Sequence, residues 1–291
     1  MKQRIHFEVE GLRLIGDLFI PAGEGPHPAV IVVGPMTSVK EQVTGVYAAA
    51  LAVRGVAALC FDHRYYGESA GEPRQYEQYA HKIMDIMGAI GWLSSHRLVD
   101  ADRIGLVGVC LGCGYAAHAA VKSPRVKALG FIAGYYRDPA LIRSRDVEDF
   151  DRKVEQGRRA RQRYEETGEV ELIPAAALDG DAAMTLADTF DYYASPRASV
   201  PNYRNAFAVM SREFFLPFDV QQVAAQITQP VCMVHSQGAL SPALAQRFYT
   251  HLAGPKQIEW LHASCQVNFY DSVDLVIPAA TLIAEHLHRT L

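Results

Sequence analysis

No apolar run in the chain approaches the roughly 18 residues that a membrane-spanning helix needs. The opening stretch, Met1 to Glu24, carries Glu8, Glu10 and Asp17 where a secretory leader would keep an unbroken apolar segment. The expectation is therefore a soluble, cytoplasmic protein. There is no basic stripe: 28 Lys and Arg stand against 32 Asp and Glu, for a net charge of -4. That balance argues against nucleic acid and anionic membrane as partners. No His/Cys/Asp/Glu cluster has metal-ligand spacing, and no glycine-rich phosphate or dinucleotide motif is present, so neither metal nor cofactor is expected. Repeats and low-complexity tracts are missing too. The cysteines number five, Cys60, Cys110, Cys113, Cys232 and Cys265. An odd count without a leader reads as reduced thiols rather than a disulfide framework.

What is present is ordinary globular material, 49% hydrophobic and 21% charged over 291 residues. That length suits one large α/β domain carrying an insertion. The segments His6 to Glu10 and Leu12 to Ile20 alternate apolar and polar residues around Gly11, which predicts an antiparallel hairpin. Short continuous apolar runs follow at Ala29–Val33, Val56–Phe61, Ile104–Val109, Ala128–Ala133, Val231–His235 and Ile258–Leu261. Such runs fit strands buried on both faces of a parallel sheet. Amphipathic stretches of helical length separate most of them, among them Val39–Val53, Tyr79–Ser95 and Leu111–Val121. Strand–helix alternation implies right-handed crossovers with helices on both faces. It breaks once, over residues 136–218, where the chain turns polar and charged; this is too long for a loop. The reading is a helical cap inserted into a core made of 1–135 and 219–291.

The most informative stretch is Arg103 to Tyr115, where a buried run ends in Gly108-Val-Cys110-Leu-Gly112 and continues into a helix rich in small residues. This is the nucleophile-elbow pattern with Cys in place of Ser. Its sharp strand-to-helix turn needs glycines beside the nucleophile. It also puts the thiol at a helix N-terminus, where the dipole favours thiolate. Cys110 and Cys113 also form a C-x-x-C, but no thioredoxin-like surroundings accompany it.

From these residues the chain resembles the bacterial α/β hydrolases related to dienelactone hydrolase, with a helical cap. The pieces that carry the resemblance are Val33 to Gln42, Phe61 to Ser69, the elbow, Asp191 to Arg197 and Asn268 to Asp271. The resemblance implies an α/β-hydrolase fold with a mostly parallel eight-stranded sheet, and a homodimer; the aromatic-rich cap suggests a medium-sized, partly apolar small-molecule substrate. It also implies an oxyanion hole. One donor would be the backbone N–H of Leu111; the other would come from Met36 or Thr37, because Pro35 has no N–H. Each such donor is worth about 3 kcal/mol to a developing oxyanion.

The sequence departs from the family where the base and its acid should stand. Gln266 holds the place of the histidine. The loop expected to supply the acid, His235 to Ser241, has no carboxylate. Glutamine cannot take and return a proton near neutral pH as imidazole does. A serine without that base would be nearly inert, whereas a thiol is already partly ionised. Candidate substitutes for the base are His63 with Asp62, at the end of the sheet where active sites form. Tyr65, Tyr193 and Arg197 are candidate substrate contacts. Three readings stay open at this point. The first is a thiol enzyme on an ester, lactone or thioester, with Cys110 attacking, Gln266 positioning and His63 assisting. The second is a non-hydrolytic lyase, eliminating acetate or another carboxylate, or a cyclase of a biosynthetic pathway. The third is a silent binding protein.

Overall fold

The computed structural model describes Met1–Leu291. Two antiparallel strands open the chain, β1 (Lys2–Val9) and β2 (Leu12–Phe19), paired in the register Val9↔Leu12. The two turn residues between them, Glu10 and Gly11, both have positive φ. That matches the right-handed twist of a tight hairpin. The rest of the sheet is parallel: β3 (His27–Val33), β4 (Ala57–Phe61), β5 (Val99–Val109) and β6 (Val126–Ile132), then β9 (Val231–His235) and β10 (Lys256–Trp260), which follow the two short strands introduced below. The eight strands lie in the order β1-β2-β4-β3-β5-β6-β9-β10. Every residue of β3, β4 and β9 is buried, as continuous apolar runs require of strands covered on both faces.

Helices α1 (Val43–Val53), α2 (Tyr79–Ser94) and α3 (Gly112–Ala120) connect the central strands. The first was expected from Val39 but starts at Val43. Lys40 is drawn inward instead, its N–H donating to Asp62 Oδ1 and its Nζ to Asp62 Oδ2, both at 2.7 Å. That ion pair holds residues 39–42 in a turn before the helix.

Between β6 and β9 the chain leaves the sheet. It forms α4 (Pro139–Arg145), α5 (Val147–Thr167), the two-residue strands β7 (Leu172–Ile173) and β8 (Phe207–Ala208), which pair with each other, α6 (Ala187–Ala194) and α7 (Arg212–Phe215). Asp146 caps α5 by accepting from the Asp149 N–H, and Gly168 ends it in the left-handed conformation. Helices α8 (Pro242–His251), α9 (Asn268–Asp271) and α10 (Val273–Thr290) complete the core, α10 packing on β6 and β9. No helix is long and apolar enough to cross a membrane.

Candidate active site

The turn from β5 into α3 places Cys110 at φ 55°. For a non-glycine residue this is a strained conformation, held only because the surroundings dictate it. The two flanking glycines are required by contact. A Cβ on Gly108 would lie 2.5 Å from the Cys113 Cα, and one on Gly112 would lie 2.1 Å from the Val33 carbonyl oxygen. The second contact brings the elbow against the end of β3, where the Pro35–Met36 turn begins.

A cavity of about 270 Å³ opens at the thiol. Its floor is Pro35, Met36, Cys110, Leu111, Leu240 and Tyr270 from the sheet side. Met184, Leu186, Thr189, Tyr193, Phe215 and Leu216 cover it from the inserted segment. Hydrophobic residues make up 13 of the 17 that line it, so any polar group inside is expected to act on the ligand.

The N–H groups of Met36 and Leu111 donate to no oxygen of the protein, the Leu111 N–H facing only the Cys110 sulfur, and both residues line the cavity. Thr37, the alternative donor, is ruled out for that role: its N–H donates to Glu77 Oε2 at 3.0 Å. Glu77 was not foreseen. It is 1% exposed and takes further hydrogen bonds from Tyr66 Oη and Tyr115 Oη at 2.7 and 2.6 Å. It is also ion-paired with Lys82 at 2.6 Å. Burial alone would raise its pKa, but the Lys82 ammonium and these hydrogen bonds hold it below the usual carboxylate value. The network pins the Thr37 turn and leaves Met36 facing the cavity. A lone glutamate in a polar loop gives no sequence signal of this role.

On the other side of the thiol, Gln266 has both ends of its amide committed. Its Nε2 donates to the Ala133 carbonyl at 2.7 Å and its Oε1 accepts from the Leu240 N–H at 3.0 Å. The amide therefore ties the end of β6 to the loop after β9, where the acid would stand. Tyr270 Oη lies 3.5 Å from Gln266 Nε2. Burial pushes the Cys110 thiol up to about 11, although Tyr270, the Leu111 N–H and Gln266 favour its ionised form. Tyr270 itself is raised well above the ordinary phenol value, by burial first and by the neighbouring Cys110 next, so it is a donor and not a base.

Neither an imidazole nor a carboxylate lines the cavity. His63 and Asp62 stand outside it, contrary to the expectation of a substitute base. His63 packs on the Phe61 ring, and its Nδ1 lies 3.3 Å from Asp85 Oδ2; burial lowers its pKa despite that carboxylate. Asp62 is consumed by Lys40 and by the Glu68 N–H at 2.9 Å. The carboxylates of Glu41, Asp62 and Glu68 converge, but the cation they enclose is the Lys40 ammonium. Tyr65 is also misplaced as a substrate contact: it hydrogen-bonds His81 at 2.8 Å and packs on Tyr76, away from the cavity. Arg197 is a surface clasp, reaching Asp191 at 2.7 Å and Asp271 at 2.6 Å. Tyr193 does line the cavity, and its buried hydroxyl has no partner in the protein. His235 bonds backbone carbonyls of Gly134 and Ser236, and His262 is exposed. Cys113 is fully buried, and all five thiols are free.

A parallel sheet carrying a strained nucleophile turn, two free N–H groups and a covered apolar cavity is the arrangement of an α/β hydrolase. A family described as FrsA-like esterase matches residues 1–137. Over 279 residues the chain is 30% identical to the uncharacterized protein PA2218 of Pseudomonas aeruginosa, covering 91% of this chain and 75% of that protein. The crystal structure of PA2218 gives a TM-score of 0.87 at 27% identity, covering 100% of this chain and 94% of that one. The uncharacterized protein YcjY of Escherichia coli is 30% identical over 274 residues, 91% of this chain and 89% of that protein. The acyltransferase drtE of Aspergillus calidoustus is 25% identical over 217 residues, 74% of this chain and 66% of that protein. The chain belongs to the family of PA2218 and YcjY, and its fold is that of the α/β hydrolases.

Proposed function

We propose that the protein is an acyl-transfer enzyme in which Cys110 takes the acyl group of a thioester or activated ester and passes it to an acceptor other than activated water. The observation that carries this reading is a nucleophile-elbow thiol flanked by two unpartnered N–H groups in a cavity that contains no base. Sγ of Cys110 attacks the carbonyl carbon, and the N–H groups of Met36 and Leu111 receive the oxyanion. The bond to the leaving thiol then breaks, and that thiolate takes up the proton that Cys110 has lost. Thiol for thiol, the exchange needs no external base.

Turnover by water does need one, and Gln266 cannot supply it. The acyl-enzyme therefore persists until a second thiol, or an amine in its neutral form, enters; the thiol gives its proton to the Cys110 thiolate, and the amine gives up its own on forming the amide. The drtE acyltransferase supports the same class of reaction by analogy. The elimination and cyclisation readings need a proton acceptor at the substrate; Asp62 and His63 do not line the cavity, which weakens both.

The test is intact mass after brief exposure to acetyl and hexanoyl N-acetylcysteamine thioesters. Wild type gains the acyl mass, keeps it in buffer and loses it when a thiol or amine acceptor is added; Cys110→Ala gains nothing. Failure to form an adduct with any donor overturns the reading, and prompt loss of the adduct in buffer alone shows a hydrolase with an unrecognised base.

A further inference from the structure

The cavity that holds Cys110 also holds a cation. Arg137 follows β6 and is 2% exposed. Its segment is fastened to the elbow by the Tyr135 N–H, which donates to the Cys110 carbonyl at 3.0 Å. A second tie runs from the Val220 N–H to the Arg137 carbonyl at 3.1 Å.

The chain buries five cationic side chains, Lys40, Arg64, Lys82, Arg137 and Arg212. Four of them face carboxylates: Lys40 pairs with Asp62, Arg64 with Asp85, Lys82 with Glu77 and Arg212 with Asp181. Arg137 pairs with none. Its guanidinium lies 4.1 Å from the Phe215 ring centroid, and Nη2 donates to the Leu216 carbonyl at 3.1 Å. Nε is buried with no acceptor, and Nη1 makes no hydrogen bond within the protein. One N–H in five is therefore used. A buried charge left uncompensated is costly, and the guanidinium fork fits a carboxylate through two parallel hydrogen bonds.

We propose that Arg137 recognises a carboxylate carried on the acyl group, so that the donor class is the half-thioester of a short dicarboxylic acid. This rests on the acyl-transfer reading of Cys110. A monoanion balances the single cation in an otherwise apolar cavity, whereas a phosphate dianion would leave charge uncompensated. The cavity, about 270 Å³ and lined mostly by apolar side chains, suits a short acyl chain that ends in one anion. In the transfer step the C–S bond to Cys110 forms, the donor C–S bond breaks, and the proton moves from Cys110 to the leaving thiolate. The distal carboxylate is unchanged.

The experiment compares acylation by glutaryl N-acetylcysteamine thioester with acylation by its methyl ester, read by intact mass in wild type, Arg137→Met and Arg137→Lys. In wild type the second-order rate for the free carboxylate is expected to exceed that for the methyl ester at least tenfold. The ratio falls toward one in Arg137→Met and is partly restored in Arg137→Lys. A merely structural role would lower both rates together and leave the ratio intact. Equal rates for the two donors in wild type, or an unchanged ratio in Arg137→Met, overturn the proposal. Binding of free glutarate to Cys110→Ala, followed by calorimetry, separates the two readings. If no donor acylates wild type yet glutarate binds in an Arg137-dependent way, the acyl-transfer reading fails and the carboxylate site stands. If adducts form and glutarate does not bind, the carboxylate site fails alone.

Discussion

The two sides of Cys110 have been treated differently by this sequence. On one side lie the elbow glycines, the N–H groups of Leu111 and Met36, and a buried Glu77 network that fixes the turn beside them. On the other side no imidazole or carboxylate lines the cavity. Gln266 stands there with its amide spent on the Ala133 carbonyl and the Leu240 N–H. A site can thus retain charge stabilisation for a tetrahedral intermediate while losing proton transfer. Under the acyl-transfer proposal, such a site forms an acyl-enzyme more readily than it hydrolyses one.

The largest effect expected from this contrast concerns the thiol itself. With the thiol pushed up to about 11, the reactive thiolate grows about tenfold per pH unit below that value. Alkylation of Cys110 by iodoacetamide should then accelerate about a thousandfold between pH 7 and 10, followed by peptide mass. A rate that levels off near pH 7 or 8 would show an activating charge on the base side and break the contrast.

Next comes the oxyanion side. Glu77→Gln leaves the Lys82 ammonium buried without its partner, and should cost about 3–5 kcal/mol in denaturant unfolding. The same residue gives a pH signature. Its carboxyl is held below the ordinary value of 4.5, so its stabilisation is complete above that value and is lost as the pH falls toward the lower folded one. The acid slope of stability should therefore be shallower in Glu77→Gln than in wild type; identical slopes would remove Glu77 from the account.

Gln266→Ala leaves the Ala133 carbonyl and the Leu240 N–H without partners, a cost of about 1–3 kcal/mol. A variant as stable as wild type would mean that the amide serves a ligand rather than the scaffold. The smallest effect belongs to Arg197→Ala. Its carboxylate partners are largely solvated, so less than about 1 kcal/mol is at stake despite good geometry. A loss several times larger would make this clasp a determinant of how the inserted segment is held over Cys110.

Local pattern carried much of this. Continuous apolar runs announced β3, β4 and β9, because strands covered on both faces admit nothing else. Gly108 and Gly112 around Cys110 announced the elbow, because only glycine survives contacts near 2 Å with backbone. Gln266 and the loop His235 to Ser241 without a carboxylate were legible too, and no imidazole or carboxylate lines the cavity. Asp62, His63, Tyr65 and Arg197 were misjudged because each sits at a strand end or in a family motif, and spacing along the chain does not say which way a side chain turns.

Arg137 could have been marked as a charge just past the end of a central strand. That it lacks a counter-charge depends on which carboxylates the fold brings near, and those of Asp62, Glu77, Asp85 and Asp181 all go to other cations. The sequence by itself determined the sheet and the elbow, since these rest on periodicity and glycine sterics. The tertiary structure alone decided which N–H groups remain free, which cation remains unpaired and which polar residues are merely structural, because hydrogen-bond partners are assigned between segments far apart in the chain.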